Sequence, residues 1–223
     1  MNNLDNIADH IRADFDALTA ARDEALSQAR TLTRHCAHAI RAIHRDEEDV
    51  AQENLAEAHK LADALREGLA DYPNLYFAGY TQDALKEYAE ANIVYALINN
   101  EKLPSPQDLQ LENATYLKGL AETIGEMRRR CLDILRHGYS EEAERLLGHM
   151  DDIYGMLVTM DYPDAVTYGL RRITDISRGI VERTRGDMTL SLREERLEDG
   201  FRKLETRLEK FSDDLNNGEE LVS

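Results

Sequence analysis

The stretch DALKEYAEANIVYALI, Asp83 to Ile98, decides the fold. From Ala84 onward only Lys86, Glu87, Glu90 and Asn92 interrupt a run of aliphatic residues, alanine and tyrosine. A helix of that composition is apolar on nearly every side and must be buried. Projected at roughly 100° per residue, Glu87, Glu90, Ala91, Val94, Leu97 and Ile98 share one face, so the two acids extend an apolar stripe and do not form a solvated side. A buried carboxylate needs a partner.

Helical patterning continues on both sides of this segment. No glycine or proline precedes Gly68, and Leu4, Ile7, Ile11, Phe15, Leu18, Ala25, Ala29, Leu32, Cys36, Ile40 and Ile43 recur at helical spacing, which predicts a long first helix. Leu55, Ala58, Leu61, Ala62, Leu65 and Leu69 carry a second helix, closed by Gly68 and Tyr72-Pro73. The opening segment is the third and ends at Asn99-Asn100. A fourth runs from about Asn113 to Arg136, and Ser140 is placed to cap a fifth. Pro163 precedes a sixth, from Asp164 to about Arg185. Gly186-Asp-Met-Thr is expected to break the chain before a last helix with Leu197, Phe201, Leu204, Leu208 and Phe211 on one seam. No period-two alternation is long enough for a sheet. The expectation is an all-α, single-domain helical bundle of about six to seven helices over 1–212, with a disordered tail over 213–223.

Cys36 and Cys131 are the only cysteines and have no metal or redox spacing, so a reducing cytoplasm is the expected compartment. No apolar run reaches the roughly 18 residues of a membrane span, and no export signal is legible. The net charge of −17 argues against nonspecific attraction to nucleic acid, but only on average. The cations are 21 arginines against 6 lysines, a preference that with abundant acid would suit a high-salt cytoplasm or ordinary acidic solubility.

In ARTLTRHCAHAIRAIHRD, Arg30, Arg34, His38, Arg41 and Arg45 fall at steps of four, four, three and four. They form one basic stripe opposite Leu32, Cys36, Ala39, Ile40 and Ile43, suited to backbone phosphates through the arginine fork. The bland alternative is a solvated face paired with the many acids. Arg128, Arg129 and Arg130 form a second basic group, and Arg171-Arg172 a third. With no tryptophan and 4 phenylalanines, base stacking is not expected.

Glu87 and Glu90, three residues apart on one face, could bracket a hard divalent cation such as Mg²⁺ or Mn²⁺, or could be salt-bridged structural acids. A di-iron bundle requires Glu-x-x-His pairs, and none occurs. No nucleophile elbow, phosphate loop or dinucleotide fingerprint competes. A carboxylate-held metal activates water and offsets charge on a phosphodiester, so RNA hydrolysis needs no protein nucleophile.

Downstream, YLKGLAETIGEMRRRCLDILRHG (Tyr116–Gly138) and LLGHMDDIYGML (Leu146–Leu157) complete a pattern with Glu87-Tyr-x-Glu90-Ala that resembles the translin family, which includes translin and translin-associated factor X. The resemblance follows helix order along most of the chain and is closer to factor X. It implies a Mg²⁺-dependent endoribonuclease whose catalytic and metal-ligating acids map to Glu87, Glu90 and Asp152. Asp151 is the alternative to Asp152, because translin carries its helix-five acid one position earlier and periodicity sets Asp151 beside the buried face. Glu126, beside Gly119 and Gly125, is a candidate fourth acid or else a surface partner of Arg129 or Arg130. Translin itself lacks the acid pair, so the rival reading is a non-catalytic protein that binds RNA or single-stranded DNA; a structural helical assembly factor is a third. The family further implies a homo-oligomeric shell, an octamer with basic inner surfaces, with room for a paralogous translin-type subunit.

Overall fold

The computed structural model describes the backbone of residues 2–219 and the side chains of 3–210. Its described residues form eight helices and no strand: α1 (Asn2–His44), α2 (Glu48–Gly68), α3 (Pro73–Tyr76), α4 (Gly79–Ile98), α5 (Asn113–Leu135), α6 (Glu141–Val158), α7 (Asp164–Thr167) and α8 (Leu170–Glu219). The fold is all-α. Two of the eight are single turns, so six long helices make the bundle, as the periodicity implied.

Local chemistry sets most of the ends. Pro73 opens α3 at its first turn, where a missing N–H costs nothing. Asn100 adopts a left-handed conformation just past α4, at φ 55°. The Ser140 hydroxyl accepts the Glu142 N–H at 3.2 Å and caps α6.

The core lies along α4, as its composition requires. Leu85, Ala89, Ala91, Ile93 and Val94 are fully buried, between α1 on one side and α5 on the other. The second half of α1 supplies Leu32, Cys36 and Ala39, α2 adds Ala51, Ala58, Ala62 and Leu65, and α5 packs onward against α6 and α8. Gly119 makes the α4–α5 seam possible. A Cβ there would stand 2.7 Å from Ala89 Cβ and 2.8 Å from the Lys86 carbonyl oxygen, so any side chain would force the helices apart. Gly125 has no such role, for nothing lies within 4 Å of its Cβ position.

The C-terminal region departs from expectation. The chain breaks at Tyr168 (φ 49°) and Gly169 (φ 85°), not at Gly186, and α8 then runs without interruption through Gly186. A glycine inside a helix costs roughly 1 kcal/mol relative to alanine and does not by itself end it. Here tertiary contacts carry the helix across: Thr184 accepts a hydrogen bond from Arg128, Asp187 pairs with Arg128 at 2.8 Å, and Met188 is buried. The helical backbone continues to Glu219, and the end of the tail expected over 213–223 lies outside the described residues. Phe211 and the side chains after it lie outside the described residues.

At about 1.5 Å per residue, α1 and α8 span roughly 65 and 75 Å, twice the length of their neighbours. Their outer ends therefore project. Leu4, Ile7, Ile11 and Phe15 on α1 and Leu197, Phe201, Leu204 and Leu208 on α8 are exposed apolar stripes. Among the described residues no helix is long and apolar enough to cross a membrane.

Candidate metal centre and nucleic-acid face

The two acids of α4 meet a third from α5. One carboxylate oxygen each from Glu87, Glu90 and Glu122 lies within 4.8 Å of the others, the one such group of His, Cys, Asp or Glu side chains among the described residues. On α5 the spacing Gly119, Glu122, Glu126 puts these three on one face, so the glycine that lets the helices touch also brings Glu122 over α4. Glu122 is the residue that sequence reading passed over. Its signal was there, three after Gly119 and four before Glu126 in GLAETIGE, but nothing linear shows that α5 crosses α4 at Lys86 to Glu90.

The three carboxylates are not equivalent. Glu90 is only 7% exposed, and no hydrogen bond or ion pair reaches it among the described residues. Burial first, then the charges of Glu87, Glu122 and Glu126, push its carboxyl up to about 8. Glu87 and Glu122 share the ammonium of Lys86, at 3.0 and 2.5 Å. Beneath them lies Cys36, whose thiol is driven far above its ordinary range by burial and then by the fields of Glu87 and Glu90. Three hard oxygen donors, one of them buried without a partner, are a donor set that fits Mg²⁺ or Mn²⁺.

Glu126 has a different place. Its Oε2 accepts a hydrogen bond from His44 Nε2 at 2.6 Å and lies 3.6 Å from Arg129, so it flanks the trio as a paired acid. The His44 bond is the chief cause holding its carboxyl below the usual range.

The α6 acids do not join the cluster. Leu147, Met150, Ile153 and Leu157 turn inward, Asp152 is exposed on the opposite side, and Asp151 pairs with Arg185 of α8 at 2.5 Å. The cause is packing: α6 lies on α5 and α8, and its acids follow the face left over.

The cations also divide. Arg30, Arg34, His38 and Arg41 are exposed along α1 and Arg45 is exposed in the turn just past its end, and none makes an ion pair among the described residues. In a chain this acidic an unpaired basic stripe contrasts with the rest of the surface. Arg128 is held by Thr184 and Asp187, and Arg130 by Asp46 and the His44 carbonyl oxygen. Arg129 alone of that trio keeps half its side chain exposed. A cleft of about 280 Å³ between α1 and α4 is lined by Arg30 of the stripe and by Glu87 of the acid cluster. Thr33 and Tyr80 line it too, and the buried Tyr80 hydroxyl has no partner among the described residues.

No protein-family model matches the chain. It is 35% identical over 191 residues to the uncharacterized protein MJ0175 of Methanocaldococcus jannaschii, covering 85% of this chain and 84% of that one. Among solved structures, AfC3PO in complex with duplex RNA is 32% identical with a TM-score of 0.77, over 82% of this chain and 95% of that one. AfC3PO alone matches equally, over 96% of its chain. Apo-NeC3PO, 22% identical, shares the fold with a TM-score of 0.76 over 82% of this chain and 96% of its own. An all-helical architecture and this identity across nearly the whole of AfC3PO agree with the motifs of α4 and α5: the chain belongs to the translin family.

Proposed function

We propose that this protein is a divalent-metal-dependent endoribonuclease that binds RNA along the α1 stripe and hydrolyses it at Glu87, Glu90 and Glu122. The observation that carries this reading is the convergence of those three carboxylates, with Glu90 buried and unpartnered, beside a cleft lined by Glu87 and Arg30. Mg²⁺ or Mn²⁺ bound there supplies activation of water and neutralisation of charge at the phosphodiester. Arg30, Arg34, Arg41 and Arg45 hold the backbone through phosphate, and the cleft orients the strand toward the acids. Glu90 is the buried member of the trio, where electrostatic attraction to a cation is least screened, while Glu87 and Glu122 keep the site open to solvent and strand. AfC3PO has been solved with duplex RNA, which supports RNA as the ligand. Two buried free thiols suit a cytoplasmic setting.

The assembly we propose is a homo-oligomer, an octamer by family resemblance, held by the projecting ends of α1 and α8. Self-association of a chain with net charge −17 must overcome repulsion, and the exposed seams supply apolar area for it. Because Phe201 and Leu204 are exposed within the subunit, changing both to Asp should lower the particle mass in light scattering while circular dichroism stays helical. A wild-type monomer in moderate salt would refute the shell.

Function is tested by incubating purified protein with labelled single-stranded and duplex RNA, with Mg²⁺ or with a chelator. Cleavage that requires Mg²⁺ supports the enzyme. Tight binding of RNA or single-stranded DNA without cleavage under either condition supports the non-catalytic rival.

A further inference from the structure

Lys86 stands one residue before the first candidate ligand, yet its ammonium turns inward. Nζ lies 2.5 Å from Glu122 Oε2 across the α4–α5 seam and 3.0 Å from Glu87 Oε1, with the side chain only 13% exposed. Among the described residues no other cation pairs with the three-acid cluster. Two of the three carboxylates are thus occupied by a single lysine, and the third, Glu90, is left with nothing.

We infer that Lys86 is an internal counter-cation that takes the electrostatic place of the divalent ion, and that it competes with that ion for Glu87 and Glu122. The inference rests on the metal reading above. An ion held among these oxygens would stand within a few ångströms of the ammonium, so the two positive charges cannot both keep those contacts without strong repulsion. The four-carbon stem lets the ammonium swing aside, which a rigid ligand could not do. Its Nζ is placed to donate to both carboxylates at once, a contact geometry that a neighbouring divalent cation would have to displace. Nor is the side chain needed to hold the seam. The α4–α5 approach is set by Gly119 against Ala89 and the Lys86 carbonyl, through backbone and methyl contacts that the ammonium does not share.

A merely structural lysine and a competing one predict opposite signs. If Lys86 only braces the acids, removing it loosens the ligands and weakens cation binding. If it competes, removing it strengthens binding. The experiment is calorimetric titration of Mn²⁺ into the intact oligomer for wild type, Lys86→Met and Lys86→Arg, with circular dichroism to verify the fold. The expected result is Mn²⁺ affinity raised about ten-fold in Lys86→Met, with Lys86→Arg close to wild type because the charge is retained. Unchanged or weaker affinity in a folded Lys86→Met overturns the inference and leaves the metal reading standing. Absence of Mn²⁺ binding in wild type and variant alike overturns both. Should Lys86→Met fail to fold, Lys86→Gln, which drops the charge but keeps polar length, is read by the same criteria.

Discussion

Glu90 of α4 and Glu126 of α5 face the same helix seam and have opposite surroundings. Glu126 has His44 at 2.6 Å and Arg129 at 3.6 Å, and its carboxyl lies below the ordinary range. Glu90 has no cation of its own, three acids near it, and a carboxyl pushed up to about 8. A carboxylate that packing satisfies internally is a structural element. One that packing leaves buried, unpaired and crowded by like charge is destabilising unless something outside the chain completes it. The same contrast separates the arginines: Arg128 and Arg130 are held within the subunit, whereas the α1 stripe has no acid to meet.

The largest effect that could break this comparison is on cleavage. Glu90→Gln and Glu122→Gln should each lower RNA cleavage about 100-fold or more, whereas Asp152→Asn should stay within about two-fold of wild type. Gel assays with labelled RNA decide it. A loss in Asp152→Asn matching that in Glu90→Gln would restore the α6 acid to the site, and full activity in Glu90→Gln would remove the α4 pair from it.

Next in size is RNA binding. Arg34→Glu and Arg41→Glu should weaken binding across sequences and shrink the slope of log affinity against log salt by about one each, since each removes a phosphate contact. Arg130→Gln should leave binding unchanged and cost up to about 1 kcal/mol of stability through its pair with the exposed Asp46. Isotherms over a salt series and urea melts read the two. Parental binding in both stripe variants would mark α1 as a solvated face.

The smallest effect sharpens the contrast between the two glutamates. In the unfolded chain each titrates near pH 4.3. Glu90 titrates near 8 when folded, so the native state holds its proton more tightly, and this group's contribution to stability falls as pH rises from about 4.3 to 8. Integrated, that is on the order of a few kcal/mol. Glu126 titrates lower when folded, so its contribution is present above about pH 4.3 and is lost as pH falls through its folded value. In chelator, the melting temperature should therefore decline between pH 5 and 8, Glu90→Gln should flatten that decline, and Mn²⁺ should reverse it. A wild-type profile that is flat in chelator would show Glu90 to be solvated or paired.

Much of the molecule was legible from one dimension. Burial of α4 follows from its composition alone, because a helix apolar on all sides has no stable place but the core. The α1 stripe follows from its register, and the cap at Ser140 from local hydrogen bonding. Glycine reading was less dependable. Gly186 carries the same signal as Gly169, yet only Gly169 sits at positive φ, because Arg128 and the buried Met188 hold α8 together beyond the local weakness.

What the sequence by itself determined was the period of each helix and hence which face each side chain joins: Glu87 with Glu90, Arg34 with Arg41, Gly119 with Glu122. Which faces meet was decided by the tertiary structure. Only the crossing of α5 over α4 at Gly119 delivers Glu122 to the pair and sets Lys86 between two of the acids, and only the packing of α6 on α5 and α8 leaves Asp152 on its outer side. Periodicity is a property of one helix, whereas a three-carboxylate cluster is a property of two helices and the distance at which their backbones can approach.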